Sequence, residues 1–354
     1  MIFKIDFSLF ILTIALLVST TSCEKNSSES SEIYTNGVFI TCEGAFNASN
    51  ASVSFYSYTT DSMYNNIFKS VNGRSLGDVA QSITIHDDIA YIIVNNSNKV
   101  EVVNVNDFKG ITTLTGLSLP RFLVVNNNKA YVSCWGDQTV SVFDLTSYEL
   151  IKKIPAGTGP EKMVTANNKL FVANSNGFDY TVDDSTITVI SMETDELITN
   201  LNTGACNPVD LEIDTNGKIW VLCRGKMNWD SFEQSSSYLV KINPDNLEIE
   251  GSYELFTDAH PANLCINASG DMLYYGIFFM TGGIYMVSIE EPGQGNMLMD
   301  VFPYGFAINQ ENDELFVTYA APDYSSNGSL NRYSPSGELL GSYITGINGS
   351  HIGF

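Results

Sequence analysis

Residues able to perform acid–base or metal chemistry are few in this sequence. The chain has three histidines, His86, His260 and His351. His86 stands beside two aspartates in a predicted hairpin turn, where a histidine is expected because the position is exposed to solvent. His260 and His351 are expected to line one face of the fold, each in a structural role. Zinc sites usually take several His or Cys ligands at short spacing, and no such spacing occurs. Because a nucleophile elbow, a phosphate loop and a dinucleotide fingerprint are also missing, the sequence predicts no enzyme, no bound metal and no cofactor.

One group of carboxylates could hold calcium through oxygen ligands. Asp179 is followed closely by Asp183 and Asp184. These residues lack the regular spacing of a calcium-binding loop. The sequence therefore favours an acidic turn exposed to solvent over a metal site.

The cysteines do not predict a disulfide framework. If Cys23 is lipidated, five cysteines remain, an odd number that cannot pair completely within one chain. Most of them occur in or beside predicted strands, where a thiol behaves as a small apolar residue. The sequence does not decide whether two of these five cysteines form a disulfide. They are Cys42, Cys134, Cys206, Cys223 and Cys265.

The elements that must position any site come from an internal repeat. An opening slot, followed in almost every copy by apolar residues three and five positions later, recurs at intervals of about 40 to 50 residues, the repeat length of a propeller blade. The copy after Pro160 departs from this rule, with Met163 and then Thr165. The slots are Ala80, Pro120, Pro160, Pro208, Pro261, Pro303 and Gly349.

Each copy predicts four strands. The opening strand leads through a polar turn to a second strand, as at Asn127 and Asn128 before Tyr131 and Val132. Such turns between alternating apolar runs are hairpin signals. A third alternating strand and a less regular fourth complete the unit. Four antiparallel strands at this period are typical of a propeller blade, so the sequence predicts an all-β, seven-bladed β-propeller.

The two ends of the chain predict how the ring closes. Residues 37–43 and 52–56 have the patterns of a second and a third strand, and no inner strand precedes them. Residues 349–354 would supply that strand and close blade 1. A pair of β-sandwiches also has short strands, but it does not explain an incomplete unit at each end. No amphipathic helical segment follows the leader, and residues 33–354 are predicted to form one domain.

The first residues have the pattern of an export signal. Lys4 precedes an apolar run over residues 7–18, and small polar residues come directly before Cys23. The run is too short to span a membrane, so residues 1–22 are interpreted as a signal peptide. The sequence predicts that Cys23 is lipidated and that residues 23–32 form a flexible tether to the membrane. Ordinary cleavage and secretion is the alternative.

The charge balance narrows the range of partners. Forty acidic and 17 basic residues give a formal net charge of −23. Nucleic acid is not an expected ligand, since no basic stripe is present to neutralise phosphates. An acidic surface attracts cationic ligands and basic protein faces, although it can also serve only to keep the protein soluble.

One face of the predicted ring gathers the loops that lead into the inner strands and those that join second to third strands. These loops carry many large aromatic residues beside amides, a composition that suits a flat, amide-bearing ligand. The alternative is that the aromatic rings fold inward and pack the longer loops. The predicted ligand-binding residues are Phe46, Gln81, Arg121, Trp135, Phe178, Tyr180, Trp229, Phe279, Tyr304 and Tyr324.

Several segments resemble known propellers. Residues 120–124, 130–133, 139–144 and 159–163 resemble the YVTN family of β-propellers, with Tyr131, Val132, Ser133 and Cys134 in the place of the signature. Residues 36–46 and 76–82 are similar to a narrower group, the surface lipoprotein propellers of Bacteroidota. The acidic, serine-rich stretch after Cys23 likewise resembles the surface-export signal of these lipoproteins. That group includes the cobalamin-binding cap of an outer-membrane vitamin uptake system.

The resemblance implies a function. It implies a lipid-anchored protein of the cell outer membrane that binds a small-molecule nutrient, cobalamin or another cobamide, and passes it to a TonB-dependent outer-membrane transporter. A corrin is flat, is fringed with amides and carries a positive metal centre, which an acidic, aromatic face would complement. A structural or adhesive surface protein and a lactonase-like enzyme are the alternatives, the latter weakened by the missing acid–base pair.

Overall fold

A computed structural model describes residues 34–177, 183–228, 233–278 and 281–354, and every structural statement concerns these residues. They form seven four-stranded antiparallel sheets. The inner strand of each sheet contacts the inner strands of both neighbours around a complete circle. The predicted seven-bladed β-propeller is therefore confirmed.

The strands of each blade follow in order from the channel outward. Blades 1 to 3 consist of β28 (Gly349–Gly353), β1 (Gly37–Cys42), β2 (Ser52–Ser57) and β3 (Ser62–Tyr64); β4 (Ala80–His86), β5 (Ile89–Val94), β6 (Lys99–Asn104) and β7 (Gly110–Leu114); and β8 (Pro120–Asn126), β9 (Lys129–Cys134), β10 (Thr139–Asp144) and β11 (Leu150–Pro155). Blades 4 and 5 consist of β12 (Pro160–Ala166), β13 (Lys169–Asn174), β14 (Thr186–Ser191) and β15 (Glu196–Asn202); and β16 (Pro208–Ile213), β17 (Ile219–Cys223), β18 (Ser237–Ile242) and β19 (Ile249–Phe256). Blades 6 and 7 consist of β20 (Asn263–Ile266), β21 (Met272–Gly276), β22 (Ile284–Ser288) and β23 (Asn296–Met299); and β24 (Gly305–Ile308), β25 (Leu315–Tyr319), β26 (Asn327–Tyr333) and β27 (Leu339–Ile347).

The C-terminal strand closes blade 1, as the incomplete repeats predict. Strand β28 pairs antiparallel with β1, and Ile352 lies opposite Ile40. The hydroxyl of Thr41 also donates a hydrogen bond to the carbonyl of His351 at 3.3 Å. Closure by a late strand removes the open edge that blade 1 would otherwise present.

The repeat slots coincide with the starts of most inner strands. Five inner strands begin at the slot residue, but β20 and β24 begin two residues after Pro261 and Pro303. Proline has no backbone N–H to donate to a neighbouring strand, and it is tolerated where a strand begins. At these two slots the prolines precede the ladder instead of opening it.

The core lies between the blades. Seven clusters of buried apolar side chains each join one blade to the next, for example Phe171 and Val189 of blade 4 with Val221 of blade 5. Successive side chains of a strand point to opposite faces of its sheet, so each blade packs on both neighbours. The outer strands are more exposed, as in β11, where Ile151 is 50% exposed.

A short helix lies between two strands, in a part of the chain where the sequence has no amphipathic helical segment. Helix α1 (Ile67–Asn72) lies between β3 and β4, and its Ile67 and Phe68 are buried. It ends at Gly73, whose N–H bonds the carbonyl of Lys69. None of the helices among the described residues is long and apolar enough to cross a membrane.

The five cysteines of the described chain are free thiols, and all but Cys206 are buried. Burial raises the pKa of Cys42 and of Cys134 to about 11. Such thiols stay protonated near neutral pH and behave as small core residues.

Candidate functional site

Two sets of loops meet at one face of the propeller, where main-chain hydrogen bonds tie them together. The N–H of Val79, before the inner strand of blade 2, donates to the carbonyl of Glu43 in the β1–β2 loop at 3.1 Å. The N–H of Trp135 in the β9–β10 loop donates to the carbonyl of Leu119 at 3.0 Å. These bonds hold the loops in place relative to the inner strands, and so they position the side chains that the loops carry.

A cavity of about 420 Å³ opens on this face. Blades 7, 1, 2 and 3 contribute to its walls, so it lies to one side of the ring axis. Its volume is within the usual range for small-molecule sites. Six predicted ligand-binding residues line it: Phe46, Gln81, Arg121, Trp135, Tyr304 and Tyr324.

Arg121 forms one wall of the cavity. Its Nε and Nη2 donate to the two carboxylate oxygens of Glu161 at 3.1 and 3.2 Å, and its Nη1 donates to the side-chain oxygen of Gln81. The guanidinium carbon lies 3.7 Å from the centre of the Trp135 ring. Ser175 donates a further hydrogen bond to Glu161 at 3.3 Å. Because the guanidinium is bonded at all three nitrogens and stacked, the wall has one fixed geometry.

A carboxyl and a phenol form a second part of the lining. The hydroxyl of Tyr304 donates to Oε2 of Glu43 at 2.8 Å. Burial raises the pKa of Glu43, while the bond from Tyr304 and the nearby charge of Arg121 oppose that rise. Burial and the neighbouring Glu43 also raise the pKa of Tyr304. The Tyr304 ring meets Phe278 edge-on at 5.3 Å between centres, which holds the phenol in place.

The rim of the cavity carries two exposed rings, Phe46 at 72% and Tyr324 at 47%. Gly44 turns the loop before Phe46 at a φ of 81°, where a Cβ would clash with Asn50. The amide nitrogen of Asn348 donates to the carbonyls of Gly44 and Tyr324 at 3.1 and 3.0 Å and so links both loops. The rings are therefore exposed on ordered backbone, as binding residues usually are.

Sequence comparison assigns the chain to a family. Residues 36–343 match a family described as a domain of unknown function, DUF5074. The chain belongs to the DUF5074 family. The match extends from β1 into β27 and so covers nearly the whole ring of this DUF5074 propeller. A search of curated proteins finds no match.

Solved structures share the propeller fold. A Bacteroides fragilis protein provisionally described as a 6-phosphogluconolactonase aligns with a TM-score of 0.61 and 11% identity, over 90% of this chain and 98% of that one. A Bacteroides uniformis protein with the same provisional description gives 0.60 and 14%, over 88% and 98%. Hydrazine synthase of Kuenenia stuttgartiensis gives 0.61 and 15%, over 78% and 89%. At these identities the likeness concerns the fold alone.

Four predicted binding residues of this DUF5074 propeller, and the predicted lipidation site, lie outside the described residues. Asp179 does too. Its predicted companions have partners in the protein: Asp184 accepts hydrogen bonds from the Thr158 and Thr186 N–H groups at 2.7 and 2.8 Å, and Asp183 pairs with Lys226 at 2.9 Å. Among described residues, no three His, Cys, Asp or Glu side chains are placed to hold a metal ion. The lipidation site and the four binding residues outside the described ranges are Cys23, Phe178, Tyr180, Trp229 and Phe279.

The three histidines lie apart from the cavity. His86 is exposed at the end of β4. His260 bonds the carbonyl of Arg224 at 2.8 Å and the side-chain oxygen of Gln234 at 3.2 Å, which is a structural role. His351 faces inward, and burial lowers its pKa to about 3, so its imidazole is neutral under physiological conditions.

A second, smaller cavity of about 210 Å³ lies farther along the inner strands. Lys162 lines it and pairs with Asp210, which is nearly inaccessible to solvent, at 2.6 Å. Burial raises the pKa of Glu212 to about 8, helped by the charge of Asp210, so this carboxyl is mostly neutral at pH 7. The inner strands of the DUF5074 ring thus place the Lys162–Asp210 ion pair beside a carboxyl group whose pKa is raised.

Three polar residues of the larger cavity were not singled out by the sequence. They are Glu43, Asn95 and Asn348. Glu43 and Asn95 belong to loops predicted for this face. A single glutamate in a chain with many acidic residues does not, however, stand out as a binding residue. Asn348 immediately precedes the last repeat slot, and that position is the signal that could have identified it.

Proposed function

We propose that this chain is a binding protein, not an enzyme, that holds a small-molecule nutrient in the cavity between blades 7, 1, 2 and 3. One observation carries the proposal: all six predicted binding residues among the described ones line the same cavity, although they come from four blades. A concave site with aromatic walls and a few converging polar groups is typical of ligand-binding pockets.

The proposal includes the location of the protein and its partner. Lipidation at Cys23 would anchor the propeller to the outer membrane, and a TonB-dependent transporter would receive the ligand. A cobamide is the first ligand to test. Its amides would meet Gln81, Asn95 and Asn348, and its flat ring is broad enough to lie across the mouth beside Phe46 and Tyr324.

Binding can be tested with a soluble form of the chain that begins at Glu24. Titration with several cobamides, followed by calorimetry and by visible absorption, should show saturable binding. Trp135→Ala or Tyr324→Ala should each weaken binding by about 2 kcal/mol, since each removes a ring from the cavity wall. Tyr64→Ala is the control, because Tyr64 lies on the outer strand of blade 1. Equal affinity of all three variants and the unaltered chain would show that this cavity is not the site.

A lactonase-like enzyme is a second candidate, favoured by one observation. Two carboxyl groups with raised pKa values, Glu43 and Glu212, lie in the two cavities along the inner strands. Groups with displaced pKa values often mark catalytic sites. Lactone hydrolysis by the purified chain, lost in Glu43→Gln or Glu212→Gln, would support an enzyme, and absence of turnover would leave the binding protein.

A further inference from the structure

The positive and the negative side chains of the larger cavity differ in how free they are to bind a ligand. Arg121 is the cationic side chain of the described lining, and its guanidinium already contacts Glu161, Gln81 and Trp135. Its side chain is only 14% exposed, and that of Glu161 is 10% exposed. A buried, bidentate ion pair that is also stacked leaves Arg121 few free donors for an anionic ligand.

The carboxyl of Glu43 is differently placed. It lines the cavity directly, whereas Glu161 is not part of the lining and is bonded to Arg121. Its Oε2 accepts the bond from Tyr304. Tyr304 donates to the carboxyl and Ser350 lies close enough to add a hydrogen bond, and lone pairs remain for another donor because an ionised carboxylate has about four acceptor positions. The cavity therefore presents one acidic group, and the lining cation near it, Arg121, is already paired with Glu161.

Aromatic rings line the same cavity as this carboxyl. Tyr304 contacts it, and the Tyr324 ring lies 6.3 Å from that of Tyr304. Phe46 lines the same cavity from the loop that follows Glu43. The faces of such rings attract cations, and the attraction grows when the cation is removed from water.

We infer that the cavity binds the positively charged group of an organic cation, an alkylammonium, with Glu43 as counter-ion and Phe46, Tyr304 and Tyr324 as the flanking rings. This inference rests on the proposed function and specifies the ligand class of the same site. The formal charge of −23 would add to it by raising the local concentration of cations near the protein.

Choline and its uncharged isostere 3,3-dimethylbutan-1-ol provide a direct test, because they share a shape and differ in charge. Each is titrated into the soluble chain and followed by calorimetry and tryptophan fluorescence. Choline should bind at least tenfold more tightly than the isostere. Glu43→Gln should abolish that preference, and Tyr324→Phe should keep it while Tyr324→Ala reduces it.

Glu149→Gln is the matched control, because it removes the same charge from an exposed position near the β10–β11 turn. It should leave the preference for choline intact. Equal binding of choline and the isostere by the unaltered chain overturns the inference, whatever the variants do. If a cobamide still binds in that case, the proposed function stands without a cationic ligand class. Failure of cobamide, choline and isostere alike would contradict both.

Discussion

Arg121 and Glu43 lie in the same cavity but differ in what they can offer a ligand. The guanidinium of Arg121 is bonded to Glu161 and Gln81, so it chiefly orients the Trp135 ring stacked on it. Glu43 has a bond from Tyr304 and faces the cavity. Both residues are charged and both line the cavity. Their hydrogen bonds show that Arg121 has a structural role, whereas Glu43 can bind a ligand.

The raised pKa of Glu43 predicts how cation binding depends on pH. A cation binds the ionised carboxylate, so affinity should be full above the pKa of Glu43 and should fall as the pH drops through it. Burial raises that pKa, and the groups that face Glu43 are Tyr304, Arg121 and Ser350. The loss should therefore begin above the ordinary glutamate value of about 4.3.

Choline affinity measured across a pH series should show this fall, with proton release on binding near the pKa of Glu43. Calorimetry in two buffers of different ionisation enthalpy measures the released protons. Glu43→Gln should bind weakly at every pH and release none. A decrease that persists in Glu43→Gln would assign it to another group.

The sequence could predict which loops form the site better than which polar groups converge in it. Phe46, Trp135 and Tyr324 were identifiable because large aromatic residues are unusual in solvated loops. Glu43 was not, since its partner Tyr304 is 261 residues away and only ring closure brings the two together. The stacking of Arg121 on Trp135 likewise depends on side-chain geometry that spacing does not determine.

At the scale of single elements, strands were more predictable than the helix. Alternating residues and polar turns mark each strand, and five inner strands begin at the predicted slot. Helix α1 has six residues, fewer than two turns, so it is too short for a helical period to be recognised. It is stabilised by burying Ile67 and Phe68 against blades 1 and 2, which local sequence does not reveal.

The closing strand β28 gives a prediction of stability. Ile352 is 6% exposed, lies opposite Ile40 and belongs to the cluster that joins blade 7 to blade 1. Ile352→Ala should lower the free energy of unfolding by about 3 kcal/mol, because it removes buried methyl groups and leaves a cavity. Urea denaturation followed by tryptophan fluorescence measures the change.

Ile344→Ala is the control of the same type. Ile344 lies on the outer strand β27 and is 66% exposed, so its truncation should change stability by no more than about 0.5 kcal/mol. If both variants lost equal stability, the closure of the ring would not depend on packing of β28.

At the scale of the whole molecule, the ring was predictable and the position of the cavity was not. Seven slots and an unfinished repeat at each end predict seven blades and closure by the last strand. The sequence predicted one rim of seven loops, whereas the described cavity lies off the axis, between blades 7, 1, 2 and 3. Its depth depends on how Tyr304, Glu43 and Arg121 pack, which the repeat does not encode.

The charge of the whole molecule leads to a last prediction. The 40 acidic residues outnumber the 17 basic ones, so the carboxylates form an excess of like charge and repel one another. Raising NaCl from about 0.01 M to about 0.1 M shortens the screening length from about 30 Å to about 10 Å, which weakens these long-range repulsions. Short, largely buried pairs such as Lys162 with Asp210 are screened less. The melting temperature should therefore rise with NaCl, by about 2 °C for each kcal/mol of repulsion relieved. Thermal melts over a series of NaCl concentrations measure the effect, and an uncharged solute at equal osmolality is the control. A melting temperature that falls with NaCl would mean that attractive ion pairs dominate the electrostatics of the fold.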